Sequence, residues 1–404
     1  MSPQATLDLI TQMTEDLQDA YELQAELVLA EMEASRALVG DFKEYRCESW
    51  PFCPSGGYYS ETRPSGWNLF WHTIRTSDHE RQGEAMEALA EAESGYDTTC
   101  TAQTSRKDKL VSIPTDVGGF LLDWFSIDAS FEGVYYPANT NEIPSNGEPW
   151  VSGNAAGYDA SIGSQRTAAE TTRGVAGGLV SNTTTYLGNV TDSIANLTNL
   201  AQQQEQLYLD AIKFAIMEPT IGSFIGAVED FAQLVMDQRQ LFYDRVQEQG
   251  RQLSAAISSV VQVGLLENDL TGIGPGGTWP SPRNVSRDLD QPGCTGNDEV
   301  RANAEWFQSQ VAYWDDLATQ MSTLHSTASG ASRLPVIMID MPHFSAAESS
   351  SLNGLADSIT TAIDGGRAAA ESMRDSLRQT ARNYLDNEAS STSQADSLFN
   401  EYFG

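Results

Sequence analysis

Lysine is nearly missing from this chain. It occurs only at Lys43, Lys107, Lys109 and Lys213, and a total of 23 Lys+Arg faces 56 Asp+Glu. The formal charge of -33 and the pI near 4.2 repel phosphate backbones and anionic lipid headgroups, which argues against nucleic-acid partners. Arginine in place of lysine, among abundant Ala, Ser, Gly, Asp and Glu, points to a GC-rich genome. A salt-loving organism is the rival source, because dense surface carboxylate keeps proteins soluble in brine.

Histidine is equally sparse. His72, His79, His325 and His343 come without a Gly-x-Ser-x-Gly elbow, a His-Glu-x-x-His helix or a Cys-Gly-Ser-Cys segment, so the familiar hydrolase constellations are missing. Asp315-Asp316 reads as a solvated helix face. Gly272-x-Gly274 with Gly276-Gly277 has no P-loop Lys-Ser/Thr and reads as a flexible linker. The expectation is a non-enzymatic chain without cofactor or metal; the one enzymatic alternative is a site among Trp67, Trp71, His72, Asp78 and His79.

No long hydrophobic run is apparent either. Asp8, Glu15, Asp16 and Asp19 interrupt the start of the chain, so no classical export signal is expected. The apolar windows around Ala211–Met217, Ile221–Val228 and Val260–Leu266 fall short of the ~20 residues that cross a bilayer, so no transmembrane segment is expected.

Cysteine occurs only as Cys47, Cys53, Cys100 and Cys294. The even number, and a Cys-x5-Cys pair in a Pro/Gly/Trp-rich loop, favour disulfides over free thiols. A zinc site with His72 and His79 is the sharper alternative, although the spacing fits no familiar C-x2-C pattern.

What is present is helical spacing. Leu7, Ile10, Met13, Leu17, Tyr21, Leu27, Val28 and Leu38 recur at threes and fours, which predicts a long amphipathic helix over 1–44. Residues 45–149 read as an irregular aromatic and Cys-bearing insertion. Within it a helix is expected over about Asp78 to Ser94, ending at Gly95, followed by loops, short strands or a short helix at Phe120–Phe125. Residues 150–266 read as a long helical hairpin or kinked helix, broken at Pro219 and Gly222, and 267–297 as a Gly/Pro-rich linker. Over 298–404 a helical hairpin is expected, with a connector at 334–342 and a last helix reaching about Tyr402. The fold class is mainly α: an elongated bundle of long antiparallel helices. Three sequons at heptad spacing, beginning at Asn182, Asn189 and Asn196, read as a polar helix face, and a fourth begins at Asn284.

Two segments carry a functional signal. In Trp150-Val151-Ser152-Gly153-Asn154-Ala155-Ala156 a large aromatic precedes a Gly turn and an Ala pair that lets helices approach closely. In Tyr384-Leu385-Asp386-Asn387-Glu388 an aromatic and a carboxylate share one helix face. Together they resemble the actinobacterial type VII (ESX) secretion substrates of the WXG superfamily and its relatives, with two residues instead of one between Trp150 and Gly153, and Glu388 where Asp is commoner. The resemblance implies export without a classical signal peptide, with Trp150 and Gly153 as a turn and Tyr384 and Glu388 as the export-signal positions. The function expected is protein-protein interaction, with secretion machinery among the partners, or self-assembly as a homo-oligomer. The rivals are a structural protein of a virion, filament or surface array, cytoplasmic or virion-borne, and a helical pore-forming toxin using the segment near Ile212–Val235.

Overall fold

A computed structural model describes residues 2–40, 42–45, 57–60, 76–135, 150–151, 153–217, 221–257, 260–274, 277–281, 301–302, 304–339, 341–344, 346–388, 397 and 399–401. Among these residues the fold is mainly α. The helices are α1 (Pro3–Gly40), α2 (Thr76–Asp116), α3 (Gly118–Tyr135), α4 (Gly153–Met217), α5 (Ile221–Ile257), α6 (Val260–Thr271), α7 (Ala304–Ser329) and α8 (Ala346–Glu388). Six short strands form three antiparallel pairs: β1 (Phe42–Tyr45) with β2 (Gly57–Ser60), β3 (Trp150–Val151) with β4 (Arg301–Ala302), and β5 (Ile337–Ile339) with β6 (Met341–Phe344).

The helices are long because their buried positions keep returning at intervals of three and four residues. On α1 the sequence Leu7, Ile10, Thr14, Leu17, Tyr21, Gln24, Val28 is buried throughout, the alternation of three and four residues that keeps one seam against a partner helix. On α4 spacings of three and four run from Tyr158 through Ile162, Leu179, Val190 and Ala201 to Tyr208, with two successive fours at Tyr186, Val190 and Ile194. At 1.5 Å per residue, its 65 residues make a rod of about 97 Å.

Helix α4 is shared by two groupings. Its C-terminal part packs with α1, α2 and α5, and its N-terminal part with α3, α6 and α8, while α7 lies on α3 and α8. Buried side chains form two clusters. One joins Val28 and Met32 of α1, Leu89 and Tyr96 of α2, Tyr208 of α4 and Phe224 and Phe231 of α5. The other, larger one takes in the N-terminal half of α1, α3, most of α4, α6, α7 and α8.

The span 45–149, expected to be irregular, is helical over 76–135. The helix expected to stop at Gly95 continues, because that glycine is a point of close approach and not a cap: a Cβ there would lie 2.9 Å from Met236 Sδ on α5. Pro114 sits inside the last turn of α2. Val117 N–H still donates to Ile113 O and Leu121 N–H to Val117 O, each at 2.9 Å, so α3 follows α2 after a one-residue break. The buried seam passes through unshifted, from Ile113 by Val117 and Phe120 to Trp124, Ile127 and Phe131. One helical stretch among the described residues, Arg81–Val134, thereby contains a window of mean hydropathy 1.2, long and apolar enough to cross a membrane by length and composition, of which 44% is buried in the fold. The apolar windows read from the sequence lie elsewhere, because Pro114 and Gly118-Gly119 look like helix breakers in this stretch.

The expected linker is also partly structured. Residues 267–271 complete α6, and Ile273 and Trp279 are buried. Trp279 lies over Gly365 and Gly366 of α8, where Cβ atoms would stand 2.8 Å from Trp279 Cβ and 3.0 Å from its ring. Its indole N–H donates to Gln165 Oε1 of α4, and Gln165 Nε2 donates to Pro280 O at 2.5 Å. The expected connector at 334–342 holds β5 and the start of β6, and the expected last helix is described as α8 up to Glu388 and as helical again at 397 and 399–401, its course between them and at Tyr402 lying outside the described residues. The remainder of the linker and Trp67, Trp71, His72, Cys47, Cys53, Cys294 and Asn284 lie outside the described residues.

Candidate protein interface

The two sequence motifs, more than two hundred residues apart, come to one end of the molecule. Gly153 opens α4, and Trp150, three residues before it, pairs with Ala302 in the β3–β4 ladder. Trp150 thus belongs to a short strand, not to a turn between two helices. Two residues beyond Ala302, α7 begins, and its first turn carries Trp306 and Phe307. Tyr384 lies in the last two turns of α8 and reaches the same place.

An aromatic chain connects these elements. Tyr158 of α4 meets the Trp306 ring edge-on at 5.8 Å, Trp306 meets Phe307 at 5.2 Å, and Phe307 meets Tyr384 at 6.2 Å. Edge-to-face and tilted contacts of this kind add about 0.5–1.5 kcal/mol each beyond the area they bury. Beneath them Trp314 Nε1 donates to Tyr158 Oη at 3.0 Å, and Tyr158 Oη donates to Gln310 Oε1 at 3.0 Å. Burial holds the Tyr158 phenol above its ordinary pKa, with the Trp314 hydrogen bond opposing. Phe307 and Tyr158 are buried, whereas Tyr384 is half-buried, with one side on the core and one toward solvent. Glu388 ends α8 one turn on. The Phe399 ring lies 5.1 Å from the guanidinium carbon of Arg382, within the same stretch of α8.

The other candidate residues hold the scaffold. Cys100 is a free, half-buried thiol in α2 and not part of a disulfide; burial and the Asp97 carboxylate push its pKa up. Asp315 accepts from Arg374 Nη1 at 2.7 Å, tying α7 to α8, and its neighbour Asp316 accepts from Gln320 at 2.6 Å. In the three sequons on α4, Thr184 donates to Val180 O at 2.8 Å, Thr191 to Gly188 O at 2.6 Å and Thr198 to Ile194 O at 3.0 Å, so their hydroxyls are engaged by the helix itself. His325 contacts Ser329 Oγ at 3.3 Å within α7. Among the described residues no three His, Cys, Asp or Glu side chains gather in a way that could hold a metal ion.

Sequence reasoning missed the contribution of α7. Trp306-Phe307 and Trp314 were visible as aromatics at helical spacing, but nothing local says that they separate Tyr158 from Tyr384. Compared with known proteins, the chain matches no family model, no curated protein and no solved structure.

Proposed function

We propose that this chain is an exported helical scaffold, a substrate or accessory of a type VII-like secretion system that acts through protein-protein contact or self-assembly and not through catalysis. One observation carries the reading: the start of α4 after Trp150, the start of α7 and the Tyr384 turn of α8 share one end, linked by the Tyr158–Trp306–Phe307–Tyr384 contacts. Residues that would have to be read together by one receptor are thereby held at fixed relative positions, with the half-buried Tyr384 ring as anchor and Glu388 one turn away.

The test is export of the intact chain from a host carrying such a system, beside a Tyr384→Ala, Glu388→Ala double variant and a Tyr384→Phe variant, with a cytoplasmic marker for lysis. Export lost in the double variant and retained in Tyr384→Phe, with all three chains equally helical by circular dichroism, supports the reading. Equal export of all three refutes it.

A second reading is a structural protein that assembles into a closed or open polymer. It is favoured by the 65-residue rod of α4, which offers long lateral faces for repeated contact. Light scattering separates it from the first: a large, concentration-dependent particle formed by the purified chain alone is its signature.

A further inference from the structure

The stem formed by α1, α2, α5 and the C-terminal part of α4 is crossed at one height by a layer of amides. Gln24, Gln103 and Gln204 are 1%, 3% and 3% exposed. Gln103 Nε2 donates to Gln24 Oε1 at 3.2 Å, Gln24 Nε2 to Gln204 Oε1 at 3.0 Å, and Gln204 Nε2 to the main-chain oxygen of Gln238 at 2.9 Å. One hydrogen-bonded line therefore joins all four helices.

This layer coincides with the gap between the two apolar clusters. On α1, Tyr21 belongs to the larger cluster and Val28 to the smaller, with Gln24 between them; on α4, Ala201 and Tyr208 stand likewise on either side of Gln204. Apolar contact is what makes neighbouring helical turns melt together, and at this height it is replaced by amides that water can satisfy as soon as the layer opens. The connectivity adds to this. The smaller cluster lies at the end where α1 is followed by α2 and α4 by α5, so the four helices of the stem part there as two hairpin ends, leaving the other bundle closed. Across that end run the Arg36–Glu93 pair and the Arg81–Glu229 pair at 2.8 Å, all four side chains partly exposed, and such pairs hold weakly in water.

We propose that the glutamine layer is a boundary of cooperativity, at which the end of the stem carrying Val28, Tyr96, Tyr208 and Phe231 opens and closes as one unit while the rest of the molecule stays folded. Opening uncovers the apolar face of α5 at Phe224 and Phe231, now buried at 3% and 2% exposure. The device is independent of the export reading.

The experiment is native-state hydrogen exchange of the full chain, followed by mass spectrometry through a urea series below the global transition. Peptides from 25–40, 84–100 and 223–236 are expected to share one opening and to exchange at least about tenfold faster than peptides from 160–200 and 350–380. A single opening common to all peptides at every urea concentration overturns the proposal. A Gln24→Leu, Gln103→Leu, Gln204→Leu variant, which continues the apolar seam through the layer, is expected to bring the fast peptides toward the protection of the slow ones. Fast exchange unchanged in a folded triple variant overturns the role of the layer; should that variant not fold, the parent series alone decides between one opening and two.

Discussion

The same substitution, glycine to alanine on the same helix, should move stability in opposite directions at two positions of α8. Alanine is the better helix former by about 1 kcal/mol in a helix interior. At Gly354 a Cβ meets nothing within 4 Å, so Gly354→Ala should keep that gain and stabilise by about 1 kcal/mol. At Gly365 the added Cβ would lie 2.8 Å from Trp279 Cβ, close to the backbone and unable to swing aside as a side-chain tip can. Overpacking of this kind costs about 1–3 kcal/mol, so the net effect of Gly365→Ala should be a loss of about 1 kcal/mol once the helix gain is subtracted. The two variants should therefore differ by about 2 kcal/mol, a clear separation of urea midpoints followed by ellipticity at 222 nm. The pair can be closed into a cycle. Trp279→Gly alone should cost at least about 3 kcal/mol for a buried indole, and Gly365→Ala placed on top of it should become stabilising, because the Cβ at position 279 that it met is gone. Equal midpoints for Gly354→Ala and Gly365→Ala, or a Gly365→Ala effect unaltered by removing Trp279, would refute the packing of the 272–281 segment against α8.

Three further outcomes follow from the same structure. Burial raises the phenols of Tyr21, Tyr96, Tyr158 and Tyr208 above their ordinary pKa of 10.0, so their contribution is complete below the unfolded value and lost as pH climbs through the folded ones; in an alkaline titration their tyrosinate absorbance should appear only with loss of helix. Cys100, with its thiol pushed up by burial and Asp97, should react with iodoacetamide at neutral pH far more slowly than in urea, and a rate equal to that of the unfolded chain would contradict its placement. The charge of -33 repels itself less as the screening length falls from about 30 Å at 0.01 M salt to about 3 Å at 1 M, so the melting temperature should rise over that range, and a fall would show that the ion pairs matter more than the repulsion.

The parts of the fold that were legible are those whose seam is written in apolar residues. Leu7, Ile10 and Leu17 on α1, and Leu187, Val190 and Ile194 on α4, announce their helices by spacing alone. The C-terminal half of α2 was not legible because its buried seam is largely polar, with Thr99, Gln103 and Arg106 at 2%, 3% and 6% exposure. A reader of periodicity counts those as surface, and Gly95 and Pro114 then look like stops. The role of Gly95 depends on Met236 and Arg239 of another helix, information that no local window contains. Trp279 was hidden for a related reason: a tryptophan among glycines and prolines reads as linker until the Gly365-Gly366 notch that receives it is known. For the candidate interface, Tyr384 is identifiable as an aromatic on a helix face, whereas nothing in the sequence around Phe307 says that its ring meets Tyr384.

Because α4 runs through both groupings with its threes and fours unbroken, it acts as a ruler for the molecule. An insertion of one residue near Leu187 would rotate everything downstream by about 100° and lengthen the rod by about 1.5 Å, turning the seam that meets α1 and α5 toward solvent. An insertion of seven residues would nearly restore the facing, but only if α1, α2 and α5 lengthened at the same height. The reach of this protein can therefore change only in steps of about 10 Å taken by four helices together, and relatives of different length should differ by whole heptads placed in all four at once.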